Sequence, residues 1–134
     1  MSEADTLLQI LTDYHTIAVV GLSPHPNRPS HYVARYMQQH GYRIVPVNPA
    51  HDRLLGERCY PDLAAIPVPI DIVNCLRKSD QIPALAEQAV AIRAKVLWMQ
   101  LGIAHPQAAQ IARQGGLTVV EDRCLKIEYA RLFD

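Results

Sequence analysis

The sequence predicts an α/β fold: a doubly wound parallel sheet of about five strands with helices on both faces. Two observations predict it. Short β-branched or apolar runs recur along the chain, and the segments between them carry apolar residues at helical spacing. Strands that alternate with helices in this way are parallel and are joined by right-handed crossovers, which is a Rossmann-like arrangement. A chain of 134 residues, 49% hydrophobic and 19% charged, is expected to form a single domain over residues 1–134.

The first three elements are predicted within residues 1–41. Residues 1–14 form an amphipathic helix, because four apolar residues share one stripe: Ala4, Leu7, Leu8 and Leu11. Thr16–Val20 is an unbroken apolar and β-branched run, which is typical of a strand buried on both faces. Ser30 can cap a second helix, and Gly41 is placed to end it. The predicted buried face of that helix comprises Val33, Tyr36 and Met37.

The middle of the chain contributes two more strands. Arg43–Val47 is the second, although its Pro46 cannot donate to a ladder and argues against a fully central position. Residues 50–60 are predicted as a loop, 61–65 as a short helix and 71–76 as the third strand. Ser79 or Asp80 can cap the next helix. Its predicted buried residues, at helical spacing, are Ile82, Leu85, Ala86 and Ala89.

The last third of the chain repeats the pattern. Residues 96–101 are the fourth strand, which Gly102 closes and whose Trp98 is expected in the core. A helix over roughly 106–114 ends at the glycine pair 115–116, and residues 117–120 form the fifth strand. Residues 125–133 are expected to form a last short helix.

Ligands of such a sheet bind beyond the carboxyl ends of the strands, at the point where the strand order reverses. The connections that follow the predicted strands should therefore lie along one rim. They are residues 21–30, 46–50, 76–79, 100–104 and 121–124.

The loop after the first strand, residues 21–30, has the composition of a phosphate site. The following helix offers unpaired N–H groups and the positive end of its dipole. Gly21 permits a tight turn, and Arg28 can make forked, charge-assisted bonds to phosphate oxygens. Three short side chains can add hydrogen bonds: Ser23, Asn27 and Ser30. A βα loop needs a glycine and a cap whatever it binds, so on spacing alone a purely structural role stays an open alternative.

A nicotinamide or Walker-type site is disfavoured. The loop lacks the G-x-G-x-x-G pattern, and Pro24, Pro26 and Pro29 each remove a potential donor. The second strand ends in Val-Asn-Pro at residues 47–49, with no acid placed to hold a ribose diol. The pattern G-x-x-x-x-G-K-[ST] is absent. An NAD(P)- or nucleotide-binding redox or regulatory module is the alternative function that the fold permits.

Other rim residues each have a binding and a structural interpretation. Arg77 and Lys78 add positive charge after the third strand, or form a solvated surface pair. Gln100 can bond an amide through its carbonyl and its NH₂ group, or be a satisfied strand-end side chain. Asp122 beside Arg123 is most simply a local ion pair.

The cysteines and histidines indicate neither a disulfide framework nor a metal. Cys59, Cys75 and Cys124 are odd in number, far apart and without a CxxC pair, which favours a reducing compartment. The six histidines form no H-x-x-x-H pattern, so no metal site is predicted. Cys124 follows an arginine and can be considered as a nucleophile or as a disulfide partner of a ligand thiol. A buried, inert thiol is the favoured interpretation.

Charge and hydropathy exclude two classes of partner. Thirteen basic and thirteen acidic residues cancel, so the chain lacks the broad positive field that attracts nucleic acid or an anionic membrane. The acidic start, residues 1–5, is not that of a signal peptide, and no apolar run approaches the ~20 residues of a membrane span. A cytoplasmic protein is therefore expected.

Several segments together resemble the small stand-alone CoA-binding proteins, which are related to the CoA-binding domain of the succinyl-CoA synthetase α subunit. The resemblance begins with TIAVVGLSPHPNRPS at 16–30 and GYRIVPVNP at 41–49. It continues with LLGE at 54–57, YPDL at 60–63, AKVLWMQLG at 94–102 and VEDRC at 120–124. It covers roughly residues 14–133, and the segments are specific together although none is specific singly.

The resemblance implies a coenzyme A or acyl-CoA ligand on the predicted rim. The phosphates would lie in the loop of residues 23–30. The adenosine would lie between two groups of residues, Val47, Asn48 and Pro49 on one side and Leu76 and Arg77 on the other. The pantetheine arm would follow Gln100, Leu101 and Gly102. Arg123 joins the expected cofactor-binding residues because it falls in the matching segment VEDRC.

Binding without catalysis is what this resemblance implies. The synthetase's phosphorylated histidine lies in a further domain, for which 134 residues leave no room, so no catalytic residue is predicted. The chain departs from the family at CLRK, residues 75–78, where relatives commonly carry an aromatic residue or valine before an arginine pair. That departure alters the contacts expected there but keeps their positive charge.

Overall fold

The computed structural model describes residues 2–77 and 79–134, apart from the side chain of Ser79. Its strands, in chain order, are β1 (Thr16–Val20), β2 (Arg43–Val47), β3 (Arg53–Leu54), β4 (Glu57–Arg58), β5 (Ile72–Cys75), β6 (Val96–Met99) and β7 (Thr118–Val120). Five of them form one sheet in the order β2-β1-β5-β6-β7, and each pairing in it is parallel. The predicted doubly wound, Rossmann-like fold is confirmed. Lys78, predicted to add positive charge, lies outside the described residues.

Helices cover both faces of the sheet, as predicted. They are α1 (Glu3–Asp13), α2 (Pro29–Gln39), α3 (Ile82–Ala91), α4 (Pro106–Gln114) and α5 (Leu125–Phe133). Helices α1, α2 and α5 pack on the face that carries Ile17, Ile44 and Trp98. Helices α3 and α4 pack on the opposite face, against Ala18 and Leu97. Because side chains alternate along each strand, the sheet separates two apolar layers, and Trp98 is fully buried as predicted.

Helix α1 buries a different stripe from the predicted one. Leu7, Ile10 and Leu11 are buried, whereas Ala4 is exposed and Leu8 is 42% exposed. Both stripes have helical spacing and each contains three large apolar side chains, so the pattern alone does not fix the rotation of the helix. Packing of Leu7, Ile10 and Leu11 into the apolar layer on the sheet selects the observed face.

Ser30 is not the cap of α2, contrary to the prediction. The helix begins two residues earlier than that cap would imply, at Pro29, whose fixed φ and missing N–H suit the first helical position. Arg28 takes the cap position without a side-chain hydrogen bond. The Ser30 Oγ accepts a hydrogen bond from the Ser23 N–H at 2.9 Å instead. This hydroxyl therefore shapes the loop after β1.

The rest of α2 differs from the prediction by one residue. Val33 and Met37 are buried, but Ala34 completes the buried face, and Tyr36 is only partly buried. Gly41 follows the end of the helix with a φ of +94°, where its N–H donates to the Gln38 carbonyl at 3.2 Å. The predicted stop signal at this glycine is thereby confirmed.

Pro46 is accommodated because β2 is an edge strand. The Val47 carbonyl faces β1, where it accepts from the Gly21 N–H at 3.2 Å, so the Pro46 backbone faces away from the sheet. On that outer side the Pro46 carbonyl accepts from the Tyr60 N–H at 3.0 Å. The missing proline N–H thus lies at an edge where no strand requires it, which agrees with the argument against a central position.

Residues 50–60 are not simply a loop, and that prediction was wrong. Strands β3 and β4 form a small antiparallel hairpin in which Arg53 lies opposite Arg58. Leu55 and Gly56 make its turn with φ values of +54° and +75°. Asn-Gly and Asp-Gly are the usual signals of such a turn, and leucine at its first position hides it from sequence reasoning.

Helix α3 buries the four residues predicted for it, but its cap was predicted wrongly. A 3₁₀ turn over Ser79–Gln81 precedes the helix, and Gln81 takes the cap position without a side-chain hydrogen bond. A capping side chain bonds the N–H groups of the second or third helical residue. Pro83 occupies the second helical position and has no N–H to offer.

Gly115 permits the close packing of α3 and α4. Its φ of −82° is open to any residue, but a Cβ there would lie 2.4 Å from Val90 Cγ2. Valine is stiff at χ1, so rotation does not relieve the overlap.

We expect Gly115→Ala to lower the free energy of unfolding in urea by about 1–3 kcal/mol. In a Val90→Ala background the same change should cost little, and an equal cost in both backgrounds would contradict this explanation.

Candidate functional site

The point where the strand order reverses lies between β1 and β5. Strand β1 has β2 on one side and β5 on the other. The connection after β1 leads to α2 on one face, and the connection after β5 leads to α3 on the opposite face. These connections diverge and open a crevice at the carboxyl ends of the strands. Its floor is narrow, since a Cβ on Gly21 would lie 3.5 Å from the Leu76 carbonyl oxygen and 3.6 Å from Arg77 Cδ.

Two cavities flank this narrow floor. The first, called here the cleft, measures about 550 Å³ and lies towards α3; its lining includes Val20, Val47, Leu63, Arg77 and Leu85. The second, called here the loop cavity, measures about 310 Å³; its lining includes Gly21, Ser23, Arg28, Ser30 and Leu76. Because Val20 is bonded to Gly21 and Leu76 to Arg77, the two cavities adjoin, and together they are called here the groove.

The loop cavity is built from hydroxyls that are already oriented. Ser30 Oγ accepts from the Ser23 N–H, and Ser23 Oγ accepts from the His25 N–H at 3.1 Å. A hydroxyl that accepts in this way keeps its own proton to donate. Arg28 adds an exposed guanidinium at the start of α2, and it has no ion pair among the described residues. The cavity is therefore lined by donors suited to an anion.

His31, in the first turn of α2, contacts this loop, and it is not among the residues predicted for the site. Its Nδ1 lies 2.8 Å from the Ser23 carbonyl oxygen. A carbonyl only accepts, so Nδ1 carries the proton and the ring ties the first turn of α2 back to the loop. Nothing in the spacing of residues 23 and 31 signals this contact, because it depends on the path of the loop.

The cleft combines an apolar floor with a polar margin. Val20 and Val47 end two adjacent strands, and Leu63 and Leu85 close the sides. Leu63 begins a 3₁₀ helix, Leu63–Ala65, within the predicted short helix; the Asp62 carboxylate caps it by accepting from the Ala65 N–H at 2.9 Å. Arg77 and Asp80 supply charge at the margin. A volume of this size is in the range of small-molecule sites.

Three predicted site residues beside this groove do not line its two cavities. The Asn48 side chain bonds the backbone on two sides: its Nδ2 donates to the Leu22 carbonyl at 3.0 Å, and its Oδ1 accepts from the Ala50 N–H at 2.8 Å. It therefore holds the end of β2 against the loop after β1. Asn27 and Pro49 are exposed and line neither cavity.

Gln100, Leu101 and Gly102 lie farther along the rim, after β6. Gln100 is buried, and its Oε1 accepts from Asn74 Nδ2 at 3.2 Å and from the Leu125 N–H at 3.4 Å. The side-chain oxygen of Gln100 is therefore satisfied within the protein, as the structural interpretation predicted. Its Nε2 has no hydrogen-bond partner among the described residues. Leu101 is 58% exposed. Gly102, with a φ of +86°, donates its N–H to Asp122 Oδ1 at 2.6 Å.

Arg123 is not paired with Asp122, so the predicted local ion pair was wrong. The Arg123 guanidinium bonds Glu3 of α1, and its Nη1 lies 3.9 Å from the buried Glu128 of α5. Asp122 has a φ of +55°, which turns its carboxylate to the Gly102 N–H instead. The side chain of Arg123 connects two helices and does not line the groove.

The three cysteines are free and buried. Burial raises the pKa of the Cys75 thiol to about 12, and burial followed by the Asp52 charge raises the pKa of Cys59. Cys124 is 7% exposed at the cap position of α5. Burial of all three thiols agrees with the favoured interpretation of Cys124 as an inert side chain.

Among the described residues, no three His, Cys, Asp or Glu side chains are grouped so as to hold a metal ion. No helix in the described part of the chain has the length and apolar character needed to cross a membrane.

Comparison with known proteins decides the family. Residues 15–130 match the family model described as the CoA binding domain. The chain belongs to this CoA-binding family. YneT, an uncharacterized protein of Bacillus subtilis strain 168, is 44% identical over 122 residues, which are 91% of this chain and 90% of YneT. A solved hypothetical protein from Pyrococcus horikoshii OT3 is 37% identical with a TM-score of 0.96, and the match covers 99% of this chain and 94% of that one.

The CoA-binding domain also occurs inside longer proteins. An ADP-forming acetate–CoA ligase of Archaeoglobus fulgidus is 24% identical over 119 residues. That match covers 81% of this chain but only 17% of the ligase. The domain seen here therefore corresponds to a small part of that enzyme, whereas YneT and the Pyrococcus protein match it over nearly their whole length.

Proposed function

We propose that this CoA-binding domain holds coenzyme A or an acyl-CoA in the groove between β1 and β5, and that it has no catalytic activity of its own. The observation that carries the proposal is the pairing of two unlike cavities across the narrow floor at Gly21. One is lined by hydroxyls and an arginine, and the other has an apolar floor. A nucleotide that joins phosphates to an adenosine matches this pairing.

The diphosphate would occupy the loop cavity. Arg28 would form charge-assisted, forked bonds to its oxygens. The hydroxyls of Ser23 and Ser30 would donate to it, since both already accept bonds from the backbone of the loop. Gly21 would let the ligand pass close to the backbone, since it carries no Cβ and its φ of +99° is one that other residues rarely adopt.

The adenosine would occupy the cleft. Val47 and Leu63 would contact the base, and Arg77 would lie along its other side. The pantetheine arm would leave the diphosphate and follow the rim past the end of β6. There Leu101 offers an exposed apolar side chain, and the Gln100 Nε2 can donate to an amide carbonyl of the arm.

A binding role without chemistry is supported by the state of the thiols. Cys75 ends β5 beside the groove, but its burial and raised pKa keep it protonated and unreactive. Free, buried cysteines also fit a single-domain protein of the cytoplasm, which is the location we propose. The alternative, an NAD(P)-binding module, lacks an acid at the end of β2, where Asn48 is already committed to the backbone.

A thermal-shift titration tests this function. A ligand that binds only the folded state stabilises it by about 2.7 kcal/mol at a hundredfold excess over Kd. We therefore expect the Tm to rise steadily with CoA concentration, with little response to NAD⁺ or ATP at equal concentration. A clear rise with NAD⁺ or ATP alongside none with CoA would reject the proposal.

A further inference from the structure

The hairpin formed by β3 and β4 carries a pair of arginines next to the cleft. It is attached to the sheet through Tyr60, which pairs with Val47 and exchanges two backbone hydrogen bonds with the outer edge of β2. One residue later, Pro61 lines the cleft, and two residues earlier β4 ends at Arg58. The hairpin therefore borders the cleft on the side away from the loop cavity.

Two like charges face each other across this hairpin. Arg53 and Arg58 are directly opposite in the antiparallel register, an arrangement that repels unless a counter-charge is present. Both are exposed, and neither has a carboxylate within 4.0 Å among the described residues. With Asp52 and Cys59 they line a cavity of about 590 Å³. Its two cations outnumber its one carboxylate, so the cavity favours an anion.

Each guanidinium is held in place from within the chain. Arg53 Nη1 donates to the Gly56 carbonyl at 3.3 Å, across the turn of the hairpin. Arg58 Cζ lies 5.4 Å from the centroid of the Tyr60 ring, within the range of a cation–π contact. Both contacts leave other N–H donors of the fork free, since a guanidinium has five. The two guanidinium groups are thus held in position while some of their N–H donors remain free to bind a ligand.

We propose that Arg53 and Arg58 bind a phosphate on the ribose of the nucleotide held in the cleft, and so select CoA over ligands that lack its 3′-phosphate. This inference rests on the proposed function. Coenzyme A carries two separate phosphate groups, the diphosphate and the 3′-phosphate, on a single adenosine. Among the described residues, Arg28 lines a cavity on one side of the cleft, and Arg53 and Arg58 line a cavity on the other. ATP and NAD⁺ would fill only one of them.

Calorimetry with CoA and 3′-dephospho-CoA tests this selection. Hydrogen bonds to charged groups are strong enough that the wild type should bind CoA about 10- to 100-fold more tightly than dephospho-CoA. The double variant Arg53→Ala/Arg58→Ala should lose that preference and keep the wild-type affinity for dephospho-CoA. Arg35→Ala, which removes an exposed arginine of α2 outside these cavities, should keep the full preference.

The outcomes separate this inference from the proposed function. Equal affinity of the wild type for both ligands, or a double variant that retains the preference, would overturn the role of the hairpin while leaving CoA binding intact. Failure of both ligands to bind the wild type would overturn both proposals. The double variant should unfold close to the wild-type Tm, since relief of the repulsion between two exposed like charges offsets the loss of the Arg53–Gly56 and Arg58–Tyr60 contacts. A large fall in Tm with loss of affinity for both ligands would show a structural role instead.

Discussion

Arg28→Ala is expected to weaken CoA binding by about 10- to 100-fold, because a hydrogen bond to a charged group contributes about 1.5–3 kcal/mol and each 1.4 kcal/mol is tenfold in Kd. Arg28 lines the loop cavity, is exposed and has no protein carboxylate to pair with among the described residues. Its removal should therefore leave the free energy of unfolding unchanged. Calorimetric titration at low and high salt measures the effect, which should be larger at low salt because salt screens exposed charges.

Two matched variants make the test of Arg28 specific. Arg28→Lys keeps the charge but loses the planar fork, so its affinity should fall between those of the wild type and Arg28→Ala. Arg35→Ala removes another exposed arginine of α2 and should bind as the wild type does. An Arg28→Ala protein with wild-type affinity at every salt concentration would remove this residue from the site.

Trp98→Ala should cause the largest loss of stability, about 3–5 kcal/mol in the free energy of unfolding. Trp98 is fully buried in the interior strand β6, on the face covered by α1, α2 and α5. Its Nε1 also donates to the Arg123 carbonyl at 2.8 Å, which fixes the segment after β7 at the carboxyl-end rim. The substitution removes both the packing and this hydrogen bond.

Trp98→Phe separates these two contributions. Phenylalanine fills most of the space but leaves the Arg123 carbonyl without its donor, for a cost of about 1–3 kcal/mol. Urea unfolding of the wild type and both variants gives the comparison. If Trp98→Ala cost no more than Trp98→Phe, packing around the ring would not be the main source of stability at this position.

The strands and most helices were predictable because local pattern and tertiary burial agree in them. Ile82, Leu85, Ala86 and Ala89 have helical spacing, and all four are buried in α3. The strands of the parallel sheet are covered on both faces, so their residues form unbroken apolar runs. Such runs can be recognised in the sequence without knowing which strands lie beside them. In α1 the pattern allowed two stripes, and only packing against the sheet selects Leu7, Ile10 and Leu11.

The hairpin formed by β3 and β4 was not predictable, because distant contacts rather than a local pattern fix its position. Its place in the fold is fixed by the pairing of Tyr60 with the outer edge of β2, which is a contact between distant parts of the chain. Its turn uses leucine in a left-handed conformation that sequence rules assign to Asn, Asp or Gly. A strand pair of two residues each has too few positions for a period to show.

For the site, the rim was predictable but the direction of each side chain was not. Strand ends converge in any doubly wound sheet, so Gly21, Arg28 and Arg77 were expected near one another. Asn48 lies in the same region and still does not line the groove, because its amide bonds the Leu22 carbonyl and the Ala50 N–H. Arg123 is drawn away by Glu3, 120 positions earlier in the chain, and spacing cannot signal such a contact.

An NMR titration of the ¹⁵N-labelled protein with CoA tests the central claim most directly, since it reports both binding and place. Amides of Gly21, Ser23 and Leu76 should shift in a saturable way, while Gly41 and Gly116, which precede β2 and β7 at the opposite end of the sheet, should stay unchanged. Saturable shifts confined to the loops at the amino ends of the strands would contradict the account. So would the absence of shifts at Gly21, Ser23 and Leu76 at CoA concentrations that raise the Tm.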